Sequence, residues 1–170
     1  MTAKSIKGNS AEEIRAALQQ SMVADFKPTL VIVFLSLHVD RKSVSKIFDD
    51  EGIPIFGATT NGQFIDEETK SAAIVVLLLD IKPQYFYISF EEFPEKNYRE
   101  KARDVAKKSL EKFDHPAFLI ASSNTETDAE ELLLGFEDII GKHVNVYGGG
   151  AGDDYTFSEQ FVFTNKKESN

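Results

Sequence analysis

The sequence predicts a single α/β domain with a mixed, mostly parallel sheet and helices packed on both faces. Three observations lead there. Thr29–Leu37 (TLVIVFLSL) and Ala117–Ser122 (AFLIAS) are apolar on both faces, as strands covered from two sides are. Segments of helical period alternate with these runs, the rhythm of β-α-β crossovers. The chain has 170 residues and no repeat, low-complexity stretch or interdomain linker, which suits one domain with a sizeable core.

In chain order, Ser10 and Glu13 form an S-x-x-E capping box ahead of a helix whose inner face is Ile14, Ala17, Leu18, Ser21 and Met22. Lys27-Pro28 ends it, and Thr29–Leu37 follows as a strand. Asp40 caps a short helix facing inward through Val44, Ile47 and Phe48 and stopped at Gly52. Pro54–Ala58 is a second strand, so this stretch is one β-α-β unit with a parallel, right-handed crossover. Ala72–Leu79 and Tyr85–Phe90, separated by DIKPQ, predict an antiparallel hairpin. The polar stretch Asn61–Lys70 before them predicts an exposed segment. Asn97 and Glu100 open a third helix by the same capping logic. It carries Tyr98, Ala102, Val105, Ala106, Ser109, Leu110 and Phe113, and Pro116 stops it before the buried strand Ala117–Ser122. Asp128 caps a fourth helix bearing Leu132, Leu133, Phe136, Ile139 and Ile140, closed by Gly141. A last strand pair, Val144–Tyr147 and Phe161–Phe163, brackets a glycine-rich stretch. Residues 1–165 form the domain, and 166–170 are a polar tail that frays.

Composition removes several function classes. A net charge of −9 disfavours nucleic acid and anionic membrane surfaces, which both require a basic face. The absence of cysteine excludes disulfides, thiolate metal sites and a cysteine nucleophile, and fits a reducing, cytoplasmic compartment. The opening MTAKSIK leads into no signal core, and the longest apolar run, Ala72–Leu79, is too short to span a bilayer.

The candidate site centres on Tyr147–Phe157 (YGGGAGDDYTF), where Gly148, Gly149, Gly150 and Gly152 precede Asp153 and Asp154. Bare N–H groups in such a turn form an anion-binding concavity, and the two carboxylates offer the opposite polarity beside it. That pairing suits a ligand carrying both signs; the plainer alternative is a tight turn with two solvated acids, one of them an Asx cap. Two further polar segments follow strand ends: Thr59-Thr60-Asn61 and Ser122-Ser123-Asn124. If the three strands are parallel, all three segments line the rim where open α/β sheets bind ligands; otherwise they cap their own loops. No G-x-G-x-x-G opens a helix and no phosphate-binding P-loop occurs, so no cofactor is expected. Adjacent acids rarely face one ion, so no metal is expected. An enzyme is the rival class: Ser122, His143 and Asp153 compose a Ser-His-Asp set, but without a nucleophile elbow. A third class is an interaction module using Glu91, Glu92, Glu95 and the acidic face of the third helix.

GATTNGQF at 57–64 and GGGAGDDYTF at 148–157, in this order and spacing, resemble the N-terminal half of the FIST domain, a sensory module named for F-box and intracellular signal-transduction proteins. The resemblance extends from Thr29 to Phe163. Ala58, Thr59 and Gln63 stand where Cys, Ser and Glu are common in that family, which keeps the turn small and polar but removes a thiol and a charge. The resemblance implies a non-catalytic sensor of small ligands such as amino acids in prokaryotic signalling proteins. It also implies a C-terminal half or an output domain as partner, the half beginning where this chain ends. On this reading Thr59, Thr60, Asn61, Ser122, Gly148, Gly149, Gly150, Gly152, Asp153 and Asp154 bind the ligand.

Overall fold

The first elements are β1 (Thr2–Gly8), α1 (Ala11–Ser21), β2 (Leu30–Leu35), α2 (Arg41–Asp50), β3 (Ile55–Thr59), β4 (Gln63–Ile65), β5 (Glu68–Lys70) and β6 (Ile74–Asp80). Then come a 3-10 turn at Pro83–Tyr85, α3 (Tyr98–Leu110), β7 (Ala117–Ser122), α4 (Ala129–Ile140), β8 (Asn145–Gly150), β9 (Val162–Phe163) and β10 (Glu168–Ser169). The computed structural model describes residues 1–23, 25–65, 68–70, 73–123, 127–153 and 159–170. It divides the domain into two compact units, Met1–Ile88 with Ala151–Asn170, and Ser89–Gly150.

The first unit is built on a six-stranded sheet of order β1-β6-β2-β3-β9-β10. The sheet is mixed, as expected, but it is not mostly parallel: among the described residues only β2 and β3 run together, and every other neighbour is antiparallel. The reason lies in the connections. β2 and β3 are joined by the helical crossover α2 and lie side by side as a parallel pair; β1 and β2 are also joined by a helix, α1, but β6 comes between them and runs against both. β6 returns without a helix and runs against β2, and β9 runs against β3.

The expected hairpin of Ala72–Leu79 with Tyr85–Phe90 is not formed. Both edges of β6 are already taken, by β2 and by β1, and no strand occurs within 85–90. β1 was not expected: TAKSIKG buries only Ile6 and Gly8, so its alternation is too weak to read as an edge strand. The segment expected to be exposed contains the antiparallel pair β4–β5, in which Gln63 is buried. Within the polar tail, residues 168–169 form β10 rather than fraying.

One face of the sheet is the core. Val31, Val33 and Leu35 on β2 align across the ladder with Leu78, Val76 and Ile74 on β6, and all six are buried. Ile14 and Leu18 of α1 and Val44, Ile47 and Phe48 of α2 join the same cluster. Both helices of this unit therefore cover one face of its sheet. The alternate rows, Ile32 with Leu77 and Phe34 with Val75, are only partly buried, and Phe34 is exposed. The helix starts follow the sequence. Ser10 Oγ accepts from Glu13 N (3.2 Å) and Asp40 Oδ1 from Lys42 N (3.0 Å). Glu13 returns its carboxylate to Asn9 N (2.8 Å), one residue earlier than a capping box would.

The second unit packs α3 and α4 on the parallel pair β7–β8 through Tyr98, Ala102, Ala106, Leu132 and Phe136. The helices meet closely because Gly135 has no side chain: a Cβ there would lie 2.5 Å from Arg99 O and 2.6 Å from Ala102 Cβ. Asp128 Oδ1 caps α4, accepting from Glu131 N at 3.0 Å. Asn97 does not cap α3; its Nδ2 donates instead to Glu100 Oε2 (3.3 Å). β7 is not buried on both faces as its composition suggested, since Leu119 and, on β8, Tyr147 are exposed.

Arg99 Nε and Arg103 Nε each donate to Asp138 Oδ2 at 2.7 Å, tying α3 to α4. The hydrogen bonds from Arg99, then Arg103, hold the Asp138 carboxyl down at about 2, against a burial effect in the other direction. A carboxyl depressed in the folded state stabilises above its ordinary value and loses that contribution as protons bind. Acid titration of the wild type should therefore lose stability between pH 3.8 and about 2 through this group. In Asp138→Asn that component of the acid limb should vanish, as urea midpoints measured across the window will show. An unchanged acid limb would mean the arginines give the carboxylate no net preference.

Candidate functional site

β3 ends at Thr59, and the chain that follows is pinned rather than loose. Thr60 N donates to Leu35 O (3.0 Å), tying the exit of β3 to the end of its parallel neighbour β2. Thr59 is fully buried; its N–H donates to Phe161 O (2.9 Å) and its Oγ1 accepts from Phe161 N (3.0 Å). The Thr59 hydroxyl thus serves the fold. Gln63 Nε2 donates to Thr60 Oγ1 at 2.9 Å, so a buried amide fixes the second threonine. Sequence reasoning did not select Gln63 for the site. The signal was the three-residue spacing Thr60-x-x-Gln63, which a tight turn folds back on itself.

Gly152 and Asp153 come to the same place from the other end of the sequence. Gly152 N donates to Thr59 O at 2.8 Å. A Cβ on Gly152 would overlap Asn61 Oδ1 and lie 2.7 Å from Asn61 N, so only glycine permits this approach. Asp153 follows, 1% exposed, while Asn61 is exposed. A carboxylate buried to that degree persists only with partners, and Asp153 is not without one. Thr59, Thr60, Asn61, Gly152 and Asp153 are therefore gathered in one unit, beyond the carboxyl end of a parallel strand pair. Asp154 and Asn124 lie outside the described residues.

Ser122 and the first three glycines belong to the second unit. The parallel register places Ile120 opposite Gly148, Ala121 opposite Gly149 and Ser122 opposite Gly150. Gly148–Gly150 are thus strand, which corrects the expected glycine turn. A strand sends successive N–H groups to opposite sides, so three of them do not converge on one anion. Gly148 is required by its backbone: at φ 136° a Cβ would overlap the Ile120 carbonyl oxygen. Gly149 and Gly150 carry no such constraint, with nothing within 4 Å of a Cβ at the first and only Ser122 Oγ, at 3.9 Å, near the second.

Among the described residues no group of three His, Asp or Glu side chains could hold a metal ion, and no helix is long and apolar enough to cross a membrane. No curated protein and no solved structure matches the chain. One family model does, that of the FIST N domain, over residues 29–169. FIST domains are associated with sensing in signal transduction. The match starts just before β2 and ends in β10, spanning both polar clusters, and the chain belongs to the FIST N domain family.

Proposed function

We propose that the chain is a non-catalytic sensory domain that binds a small, amino-acid-like ligand beyond the carboxyl end of β3. The observation that carries this reading is the Gly152 N to Thr59 O hydrogen bond, which sets a buried carboxylate, Asp153, beside the exposed amide of Asn61. A carboxylate accepts from a ligand ammonium, and an amide offers both a donor and an acceptor. Thr60 completes the rim with a hydroxyl already oriented by Gln63. Ser122 and Gly150, paired at the end of β7–β8, are a second polar strand exit of the same kind, with backbone bare enough for close approach. Ligand occupancy signals by favouring one of two arrangements with a C-terminal half or an output domain, in a cytoplasmic signalling protein.

The test is a thermal-shift screen of the chain against amino acids and small carboxylic acids. A ligand present at about 100 times its Kd stabilises by about 2.7 kcal/mol, which for a domain of this size raises Tm by about 5–10 °C. Asp153→Asn and Asn61→Ala should each diminish the shift. A flat screen would favour an interaction module, the second reading, for which the exposed side chains of Phe34 and Tyr147 speak.

A further inference from the structure

We propose that Arg41 is the anion-recognising residue of this site and takes the single carboxylate of a small, amino-acid-like ligand. The inference rests on the ligand-sensing reading and supplies what the glycine stretch, being strand, does not.

Arg41 is the first residue of α2, the helix that crosses from β2 to β3. Its guanidinium carbon lies 3.6 Å from the centroid of the Phe161 ring, and Phe161 is the residue whose backbone exchanges hydrogen bonds with Thr59. Contacts therefore run without a gap from Arg41 through Phe161 and Thr59 to Gly152 and Asn61. The Arg41 side chain is only 17% exposed. Among the described residues its Nε donates to Glu168 Oε2 at 3.2 Å and nothing bonds the two Nη groups. A guanidinium carries five N–H donors in one plane, so four remain, two of them forming the fork on the edge opposite the stem.

Arginines withdrawn from water are ordinarily paired throughout. This one is laid flat on an aromatic ring and held at one end, which leaves the edge opposite its stem fixed for fork-to-fork recognition of a carboxylate. Both constraints reduce the freedom lost on binding. The backbone of α2 does not compete for the anion, because Asp40 already accepts from Lys42 N and Ser43 N. Charge selects among anions. Glu168 offsets part of the Arg41 charge, Asp153 stands at the other end of the contact path, and the chain carries −9 overall. That field suits a ligand with a single carboxylate and opposes a dianion such as hydrogen phosphate.

The test is titration calorimetry on the full chain, with the twenty L-amino acids as probes and inorganic phosphate as the dianion. Each amino acid that binds is then compared with its own carboxamide. The expected result is an acid that binds about 10–100 times more tightly than its amide, and a loss of the same size for that acid in Arg41→Gln. Arg41→Lys should fall between, having the charge without the fork. Glu168→Gln, which removes the strut but leaves the guanidinium, should retain or tighten binding, whereas a merely structural Arg41–Glu168 pair would make both variants alike. If an amino acid binds but its amide binds equally well, or Arg41→Gln binds it unchanged, or phosphate is preferred, the Arg41 assignment is overturned and the sensor reading survives. If no amino acid binds the unaltered chain, the sensor reading itself falls and takes this assignment with it. Should Arg41→Gln fail to fold, the acid–amide comparison on the unaltered chain decides alone.

Discussion

Replacing Gly148 by valine should cost about 3–5 kcal/mol, while the same change at Gly149 should cost under about 1 kcal/mol. The two glycines are neighbours on one strand and look alike in sequence, but their surroundings differ. At Gly148 a Cβ would overlap the Ile120 carbonyl oxygen and sit 2.8 Å from its carbon, both of them backbone atoms of β7. Backbone in a ladder cannot turn aside as a side chain can, and φ 136° is a conformation that valine resists in any surroundings. Relief requires separating β7 from β8, which are held by a parallel register of six residue pairs. At Gly149 nothing lies within 4 Å of a Cβ, and β-branched residues favour strands. Urea denaturation of the two variants checks the contrast. Hydrogen exchange should place the Gly148→Val loss in the Ser89–Gly150 unit. Equal midpoints for the two variants would refute the argument.

The second large effect is expected at the pair Gly57 and Phe163. The two residues are register partners, and the Phe163 ring lies across the glycine, so that a Cβ on Gly57 would sit 2.5 Å from Cζ. Phe163 is itself 3% exposed and part of the core, so its ring has nowhere to swing. Gly57→Ala should therefore cost about 2–3 kcal/mol by overpacking, and Phe163→Ala about 3–5 kcal/mol by emptying the space. The double variant should cost less than the two added together, because the new methyl occupies part of what the ring vacates. A coupling of about 1 kcal/mol or more in a double-mutant cycle is the expected reading. Strict additivity would show that the ring does not depend on the glycine.

Both effects bear on how much could be read from the chain alone. Helix starts were legible, because Ser10, Asp40 and Asp128 bond backbone amides within three residues of themselves. The β2-α2-β3 unit was legible for the same reason: its contacts are local and its connection forces the strand direction. The direction of β6 was not, because it depends on which edge was open when the strand returned. Nothing in IVVLLLD says that TAKSIKG, some seventy residues earlier, will occupy the far side. For the candidate site, Thr59–Asn61 and Gly152–Asp153, both selected from the sequence, are brought together by the Gly152 N to Thr59 O hydrogen bond. Composition misjudged Gly148–Gly150, since a run of glycines has the same spelling in a turn and in a strand pressed against a carbonyl. Arg41 escaped selection because Phe161 and Glu168, which hold it, are far along the chain, and Gln63 because its burial is fixed only by packing.

The division of the chain has a temporal consequence. The Ser89–Gly150 unit is contiguous, whereas the six-stranded sheet needs β3 and, about a hundred residues later, β9. During synthesis the inserted unit can mature while the six-stranded sheet still lacks β9 and β10, leaving one flank of β3 bare until Phe163 emerges. Loop closure over that separation slows folding, so the sheet should be the late and rate-limiting event. An arrest just short of Phe163 would strand a sticky, half-assembled intermediate.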